Sequence, residues 1–302
     1  MIFVKILIAA LVIALIIGSI VYAICVKKNK IDFGEILLSD VPHKDDDSVR
    51  IMSFNLRYKD DVEGSVRNRS QISTAIISQY APDSFGVQEA TLKWLRIIDK
   101  ATGGKYARVG EGRSEDKSKA EYNAVYYLKD KYNLIDSGTI WLSETPEKKY
   151  SESFDTACPR IATWAVLENK ETGVTYTHIN THLDHVLEST RVGQIRVLMN
   201  KVKEIDEDGN FVCTGDFNTY KDGEVYAEMT KVADDARLAA ERSDDGITFH
   251  DYGRVEEDDT GAIDYIFVSR DTDVDTYKII RDSVRGMYPS DHYPIIADVE
   301  FE

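Results

Sequence analysis

From residue 48 onward, short runs rich in Val, Ile, Tyr and Phe alternate with Gly, Asp or Pro, a rhythm that predicts β-strands. Strands are expected at 49–57, 84–88, 123–128, 161–167, 174–181, 211–215, 263–268 and 295–301. Three longer segments, 69–80, 91–100 and 189–206, read as helices. In the last of these, Val192, Ile195, Met199, Val202 and Ile205 recur at helical spacing and should face a core. There is no internal repeat and no low-complexity tract. Many strands and few helices favour layered sheets with helices outside, in one domain at 49–302.

The pattern differs before residue 49. Residues 6–26 run 21 positions without a charge, enough for a membrane span of roughly 20 residues. No A-x-A cleavage pattern follows, so residues 1–30 read as an uncleaved anchor with a basic flank. Residues 31–48 read as a linker, and the run His43 to Asp47 as a solvated charge run rather than a metal site. The flanking Lys27, Lys28 and Lys30 pull towards a cytoplasmic domain. A hydrophobic segment ahead of one long domain is, however, the usual way to export and hold it. The expectation is therefore a cell-membrane protein with its body outside the cytoplasm.

Charge changes the picture further. The chain carries −16, and its first 30 residues hold four Lys and no acid, so residues 31–302 carry −20. Nucleic-acid binding rests on neutralising phosphates with Lys and Arg, which such a body is poorly built to do. A metal ion can still supply local positive charge to a phosphate. Three cysteines are too few for a disulfide scaffold, and Cys213 sits in a segment that reads as a buried strand.

The candidate chemistry lies at strand ends. The apolar runs finish at Asn55, at Glu89, at Thr181-His182-Leu183-Asp184, at Gly215-Asp216-Phe217-Asn218 and around Asp264, and Ser290-Asp291-His292 precedes the last strand. Taken singly, each is an ordinary turn or surface residue. Together they repeat acids, amides and imidazoles where a phosphoesterase using a hard, oxygen-liganded cation would need them.

The set Ser53-Phe54-Asn55-Leu56-Arg57, Val87-Gln88-Glu89, Thr181-His182-Leu183-Asp184, Gly215-Asp216-Phe217-Asn218, Ile263-Asp264-Tyr265-Ile266 and Ser290-Asp291-His292 resembles the endonuclease/exonuclease/phosphatase superfamily, in that family's order. Residues 141–146 and 158–164 also resemble a bacterial branch of it. The resemblance implies a four-layer α/β sandwich, two mixed sheets face to face with helices outside. It implies that Asn55, Glu89 and Asp291 hold Mg²⁺ or Mn²⁺, with Glu89 the principal ligand. Asp216 would orient and deprotonate water, and Asn218 would donate to phosphoryl oxygens. His292, supported by Asp264, would contact the phosphate or leaving group, with His182 a second phosphate ligand or proton donor.

Arg160 and Arg57 are open between a phosphate clamp and a surface ion pair. His185 would line the mouth of the site, and Tyr122 and Asn123 would reach it. Trp141 and Trp164 read as core. The leading expectation is a divalent-metal-dependent phosphodiesterase or phosphomonoesterase acting on small or lipid-linked phosphate esters. A membrane-anchored nuclease and a non-catalytic binding module on the same fold are the alternatives.

Overall fold

The computed structural model describes residues 31–60, 65–205, 209–256 and 261–301. The expected span at 6–26 lies outside them, and among the described residues no helix is long and apolar enough to cross a membrane.

Strand periodicity builds the frame. One sheet has the order β10-β12-β13-β1-β2-β4-β3 and the other β5-β6-β7-β8-β11-β9. The strands are β1 (Val49–Asn55), β2 (Ser84–Gln88), β3 (Tyr106–Val109), β4 (Val125–Leu128), β5 (Tyr132–Trp141), β6 (Ile161–Asn169) and β7 (Thr175–His182). They continue as β8 (Phe211–Asp216), β9 (Ala233–Asp235), β10 (Arg242–Ser243), β11 (Asp264–Ser269), β12 (Asp273–Ile279) and β13 (Ile295–Glu300). Both sheets are mixed: β1–β2, β7–β8 and β10–β12 pair in parallel, the rest antiparallel.

The helices are α1 (Val66–Tyr80), α2 (Leu92–Ala101), α3 (Glu188–Ile205), α4 (Glu224–Met229) and α5 (Ala236–Ala239). The first begins three residues earlier than the apolar pattern predicts, because Ser65 caps it by accepting from the N–H of Asn68. It ends at Ala81, left-handed at φ 44°, directly before Pro82, which disfavours helical backbone in its predecessor. On α3, Val192, Ile195, Met199 and Val202 are buried as expected, and Ile205 packs partly buried beside them. Tyr126 of β4 stacks on Phe85 of β2 and its hydroxyl donates to Leu95 of α2, so α2 covers the first sheet. Helices α3 and α4 pack on the second sheet through Ile179, Cys213, Tyr265 and Phe267.

Between the sheets, side chains at alternate positions grade along the strands. One end is apolar, with Val49, Ile51, Tyr176, Val212 and Val299 in a shared core. The middle is polar but uncharged: His178 bridges the hydroxyls of Ser84 and Thr214, while Asn180 accepts from Gln88 and from Thr214. The sheets approach so closely there that a Cβ on Gly86 would lie 2.3 Å from Thr214 Oγ1. Continuing the period of two, the far end presents Asn55, His182, Asp216 and Asp264.

Residues 37–47, expected as linker, have no helix or strand but are strapped down. Ser39 binds Asp282 through its N–H at 2.7 Å and its hydroxyl at 2.8 Å, and Arg50 donates to the carbonyl of Pro42. Trp141 and Trp164 are buried, as read from the sequence.

Candidate functional site

Strand register decides which polar residues meet. Asp216, the last residue of β8, lies opposite His182 of β7 on one side and Asp264 of β11 on the other. All three side chains point between the sheets, and Asn55 at the end of β1 reaches across from the first sheet. Its amide NH₂ donates to Asp216 Oδ2 at 3.0 Å and lies 3.4 Å from Glu89 Oε1. Asp216 Oδ1 accepts from the N–H of Asn218 at 3.0 Å. His182 Nε2 and His292 Nε2 lie 3.4 and 3.8 Å from Asp216 Oδ2. The two hydrogen bonds, one to each oxygen, fix the orientation of this carboxylate, and the two imidazoles flank it.

His292 is held from behind, its Nδ1 2.9 Å from Asp264 Oδ2. Burial works against its imidazolium, but Asp264, hydrogen-bonded to it, and the nearby Asp216 and Asp291 prevail and raise its pKa to about 10. Burial and repulsion from Asp264 push Asp216 up to about 7 against the help of His292. His182 goes the other way: burial, with Arg160, Arg113 and His292 close by, holds it well below the usual histidine range, so it is neutral.

Glu89 accepts from the N–H of Tyr58 at 3.0 Å as well as from Asn55. Asp291 is paired with Arg57 Nε at 3.3 Å and accepts from Ser290. Asn55 Oδ1 accepts from the N–H of Arg57, so as placed the amide turns its donors, not its oxygen, towards the carboxylates. Backbone strain gathers here, since Arg57, Glu89 and Asn218 adopt positive φ of 54°, 55° and 50°.

Glu89, His182, Asp216, Asn218, Asp291 and His292 line a cleft of about 440 Å³ that also presents Arg57, Arg160 and His185, whereas Asn55 and Asp264 do not line it. Arg160 is buried and donates towards His185 Nδ1 at 3.1 Å, while its Nε and Nη1 have no hydrogen-bond partner among the described residues. His185 is exposed at the rim. Asp184 stands apart, its carboxylate accepting from Thr156, Ala157 and Val186 and so tying a loop.

The cleft contains residues the sequence reading missed, notably Tyr58, Lys59, Arg113, Glu121 and Phe249. Glu121 directly precedes Tyr122 and Asn123, which were expected at the cleft but do not line it; Asn123 instead donates to the carbonyl of Ile161. An acid beside two segment-end residues was the available signal, and nothing in its spacing marked it.

The donor set suits a hard cation. Glu89, Asp216, Asp264 and Asp291 are all buried at this end of the sheets, and burial together with repulsion from Asp264 already raises Asp216. Among the described residues, ligand atoms of Asp216, Asp264 and His292 lie within 4.8 Å of one another, a group that overlaps the expected ligands at none of Asn55, Glu89 and Asp291.

The Endonuclease/Exonuclease/phosphatase family pattern matches residues 52–292. Comparison with curated proteins gave no match. Solved structures similar to this chain include the endonuclease/exonuclease/phosphatase from Bacteroides vulgatus, 34% identical with a TM-score of 0.79, covering 84% of this chain and 99% of that one. The mannosyl-6-phosphatase of Bacteroides thetaiotaomicron is 30% identical with a TM-score of 0.77, over 84% of this chain and 100% of its own. A functionally unknown protein from Enterococcus faecalis is 27% identical with a TM-score of 0.75, over 84% and 100%. The family match spans the same strand ends whose register assembles the site, and with it the chain belongs to the endonuclease/exonuclease/phosphatase family of hydrolases acting on phosphoester bonds.

Proposed function

We propose that this protein is a divalent-metal-dependent hydrolase of small phosphate esters. The observation that carries the reading is the oriented Asp216 between His182 and His292, in a cleft of about 440 Å³ that presents Arg57 and Arg160. A cleft of that size suits a small ligand. The mannosyl-6-phosphatase likeness supports the same class, and the −20 of residues 31–302 weighs against a long polyanion. The apolar run at 6–26 supports a membrane tether with the body outside the cytoplasm, which would also bring lipid-linked esters within reach.

Glu89, with Asn55 and Asp291 beside it, would hold a Mg²⁺ or Mn²⁺ ion. Such an ion, when bound, supplies positive charge to the phosphoryl oxygens. Asp216 orients a water molecule and accepts its proton as the water oxygen bonds to phosphorus. A carboxyl held near neutrality by burial is matched to that task. Asn218 and neutral His182 donate to the phosphoryl oxygens, and Arg57 and Arg160 neutralise their charge. As the ester P–O bond breaks, the His292 imidazolium gives its proton to the leaving oxygen. Asp216 Oδ2 lies 3.8 Å from His292 Nε2, and passing the water's proton on to it restores the imidazolium.

The test assays the purified full-length chain, with Mg²⁺ or Mn²⁺, on sugar phosphates, phosphoinositides, sphingomyelin, aryl phosphate mono- and diesters, and duplex DNA and RNA. Small or lipid-linked esters should be cleaved with higher kcat/KM than duplex nucleic acid at physiological salt, and chelation should abolish turnover. Activity that survives exhaustive chelation would remove the metal role. Efficient duplex cleavage with no small or lipid ester turned over would establish the nuclease alternative.

A further inference from the structure

We propose that Arg113 and Glu121 form a specificity site that reads hydroxyl groups on the alcohol portion of the substrate, so that polyhydroxylated, sugar-type phosphate monoesters are the preferred class. The inference rests on the phosphoester hydrolysis proposed above and adds the part of the substrate that the strand-end residues do not address.

Both residues line the cleft, yet neither lies at the strand ends that carry Asn55, Glu89, His182, Asp216 and Asp264. They belong to the connection between β3 and β4. Tyr122 in this segment exchanges backbone hydrogen bonds with Ala90, which pins the segment against the end of β2, and Glu121 and Glu89 line the same cleft. Arg113 Nη2 donates to Glu121 Oε1 within the cleft wall.

The pair is not needed to close its own loop. Arg113 N–H donates to the carbonyl of Glu121 at 3.0 Å, and the indole of Trp141 donates to the carbonyl of Arg113 at 3.0 Å. Gly112 lets the two sides of the loop meet, since a Cβ there would lie 2.7 Å from that of Ala120. Backbone and glycine thus set the loop shape, and the charged side chains are free to face the cleft. Holding them there carries a cost. Burial strips both side chains of most of their water, leaving 19% of the Arg113 side chain and 10% of the Glu121 side chain exposed. A desolvated ion pair contributes little net stability, so its presence in a cleft wall points to ligand recognition.

The chemistry of the pair selects the ligand. A carboxylate has acceptor capacity beyond one guanidinium N–H, and an arginine fork has donors beyond one carboxylate oxygen. Adjacent hydroxyls, each both donor and acceptor, satisfy both at once through charge-assisted hydrogen bonds. An alkyl chain in the same place would leave the two charged groups desolvated without partners, the arrangement by which polar sites reject apolar analogues.

The experiment compares glucose 6-phosphate and mannose 6-phosphate with n-hexyl phosphate, whose leaving alkoxide is similar but lacks the hydroxyls. Wild-type full-length chain, Glu121→Gln and Arg113→Met are assayed with Mg²⁺ or Mn²⁺, and their melting temperatures are compared. Wild type should favour a hexose phosphate over hexyl phosphate by about 10²-fold or more in kcat/KM, and each variant should cut that ratio at least about tenfold, mainly through KM. Equal cleavage of hexose and hexyl phosphates by wild type overturns the proposal, and so does an equal loss on both substrates in the variants. Both outcomes leave the hydrolase reading standing. Absence of turnover on any phosphate ester overturns that reading and this one together.

Discussion

At the residue scale, the site is organised around a single carboxylate. Asp216 has donors from Asn55 and the Asn218 backbone, with two imidazoles close by, and its burial beside Asp264 sets its proton affinity near neutrality. Asp216→Asn keeps the shape and the hydrogen-bond acceptor but removes the base. His292→Ala removes the proton donor and leaves Asp264 without its partner. Each should lower kcat by at least about 10²-fold, the usual scale for acid–base groups. Because neither residue belongs to the apolar clusters, cooperative thermal unfolding should persist in both variants. Wild-type turnover in either, measured with saturating metal, would remove that residue from the mechanism.

At the element scale, the strands visible in the sequence are those with neighbours on both sides, and the missed ones are instructive. β3, β10, β5 and β9 are the four outer strands of the two sheets, and all four escaped the apolar-run reading. The middle of β5 is exposed, and β10 is only two residues long, so neither carries the continuous apolar signal of a covered strand. Charge on such strands also guards an open edge against pairing with another chain. β12, an interior strand, escaped because Asp273, Asp275 and Lys278 interrupt its apolar positions. The inner strands meet so closely that Gly86→Ala is a direct test of inter-sheet packing. Relief of backbone entropy favours alanine by about 0.4–1 kcal/mol. A Cβ 2.3 Å from Thr214 Oγ1 and 2.4 Å from Asn180 Oδ1 forces the sheets apart, an overpacking cost of about 1–3 kcal/mol. Net destabilisation should appear in denaturant unfolding, and unchanged or raised stability would contradict the close approach.

At the scale of the whole molecule, the polar layer between the sheets couples stability to pH. Burial holds His178 down to about 3, and it is neutral between the hydroxyls of Ser84 and Thr214. An unfolded histidine titrates near 6.5, so from about pH 6.5 down to about 3 the unfolded chain binds a proton at this position and the folded chain does not. The stability this neutral histidine contributes is present above the unfolded pKa and is lost as pH falls, at about 1.4 kcal/mol per pH unit once the unfolded form is protonated. His178→Asn should therefore flatten the pH dependence of the unfolding free energy by about that slope between about pH 4 and 5.5. Identical slopes in both proteins would show that the site does not carry the coupling. The sequence by itself determined the layered α/β class, the apolar interior strands, the helices over the two sheets and the strand-end residues Asn55, Glu89, His182, Asp216, Asp264, Asp291 and His292, because apolar periodicity and local motifs are short-range properties. Only the tertiary structure decided that Asp216 stands between His182 and Asp264, that Asn55 reaches it from the other sheet, and that Arg113 and Glu121 share their cleft. Those meetings depend on strand register and on the packing of one sheet over another, which join residues far apart in the chain and leave no periodic mark along it.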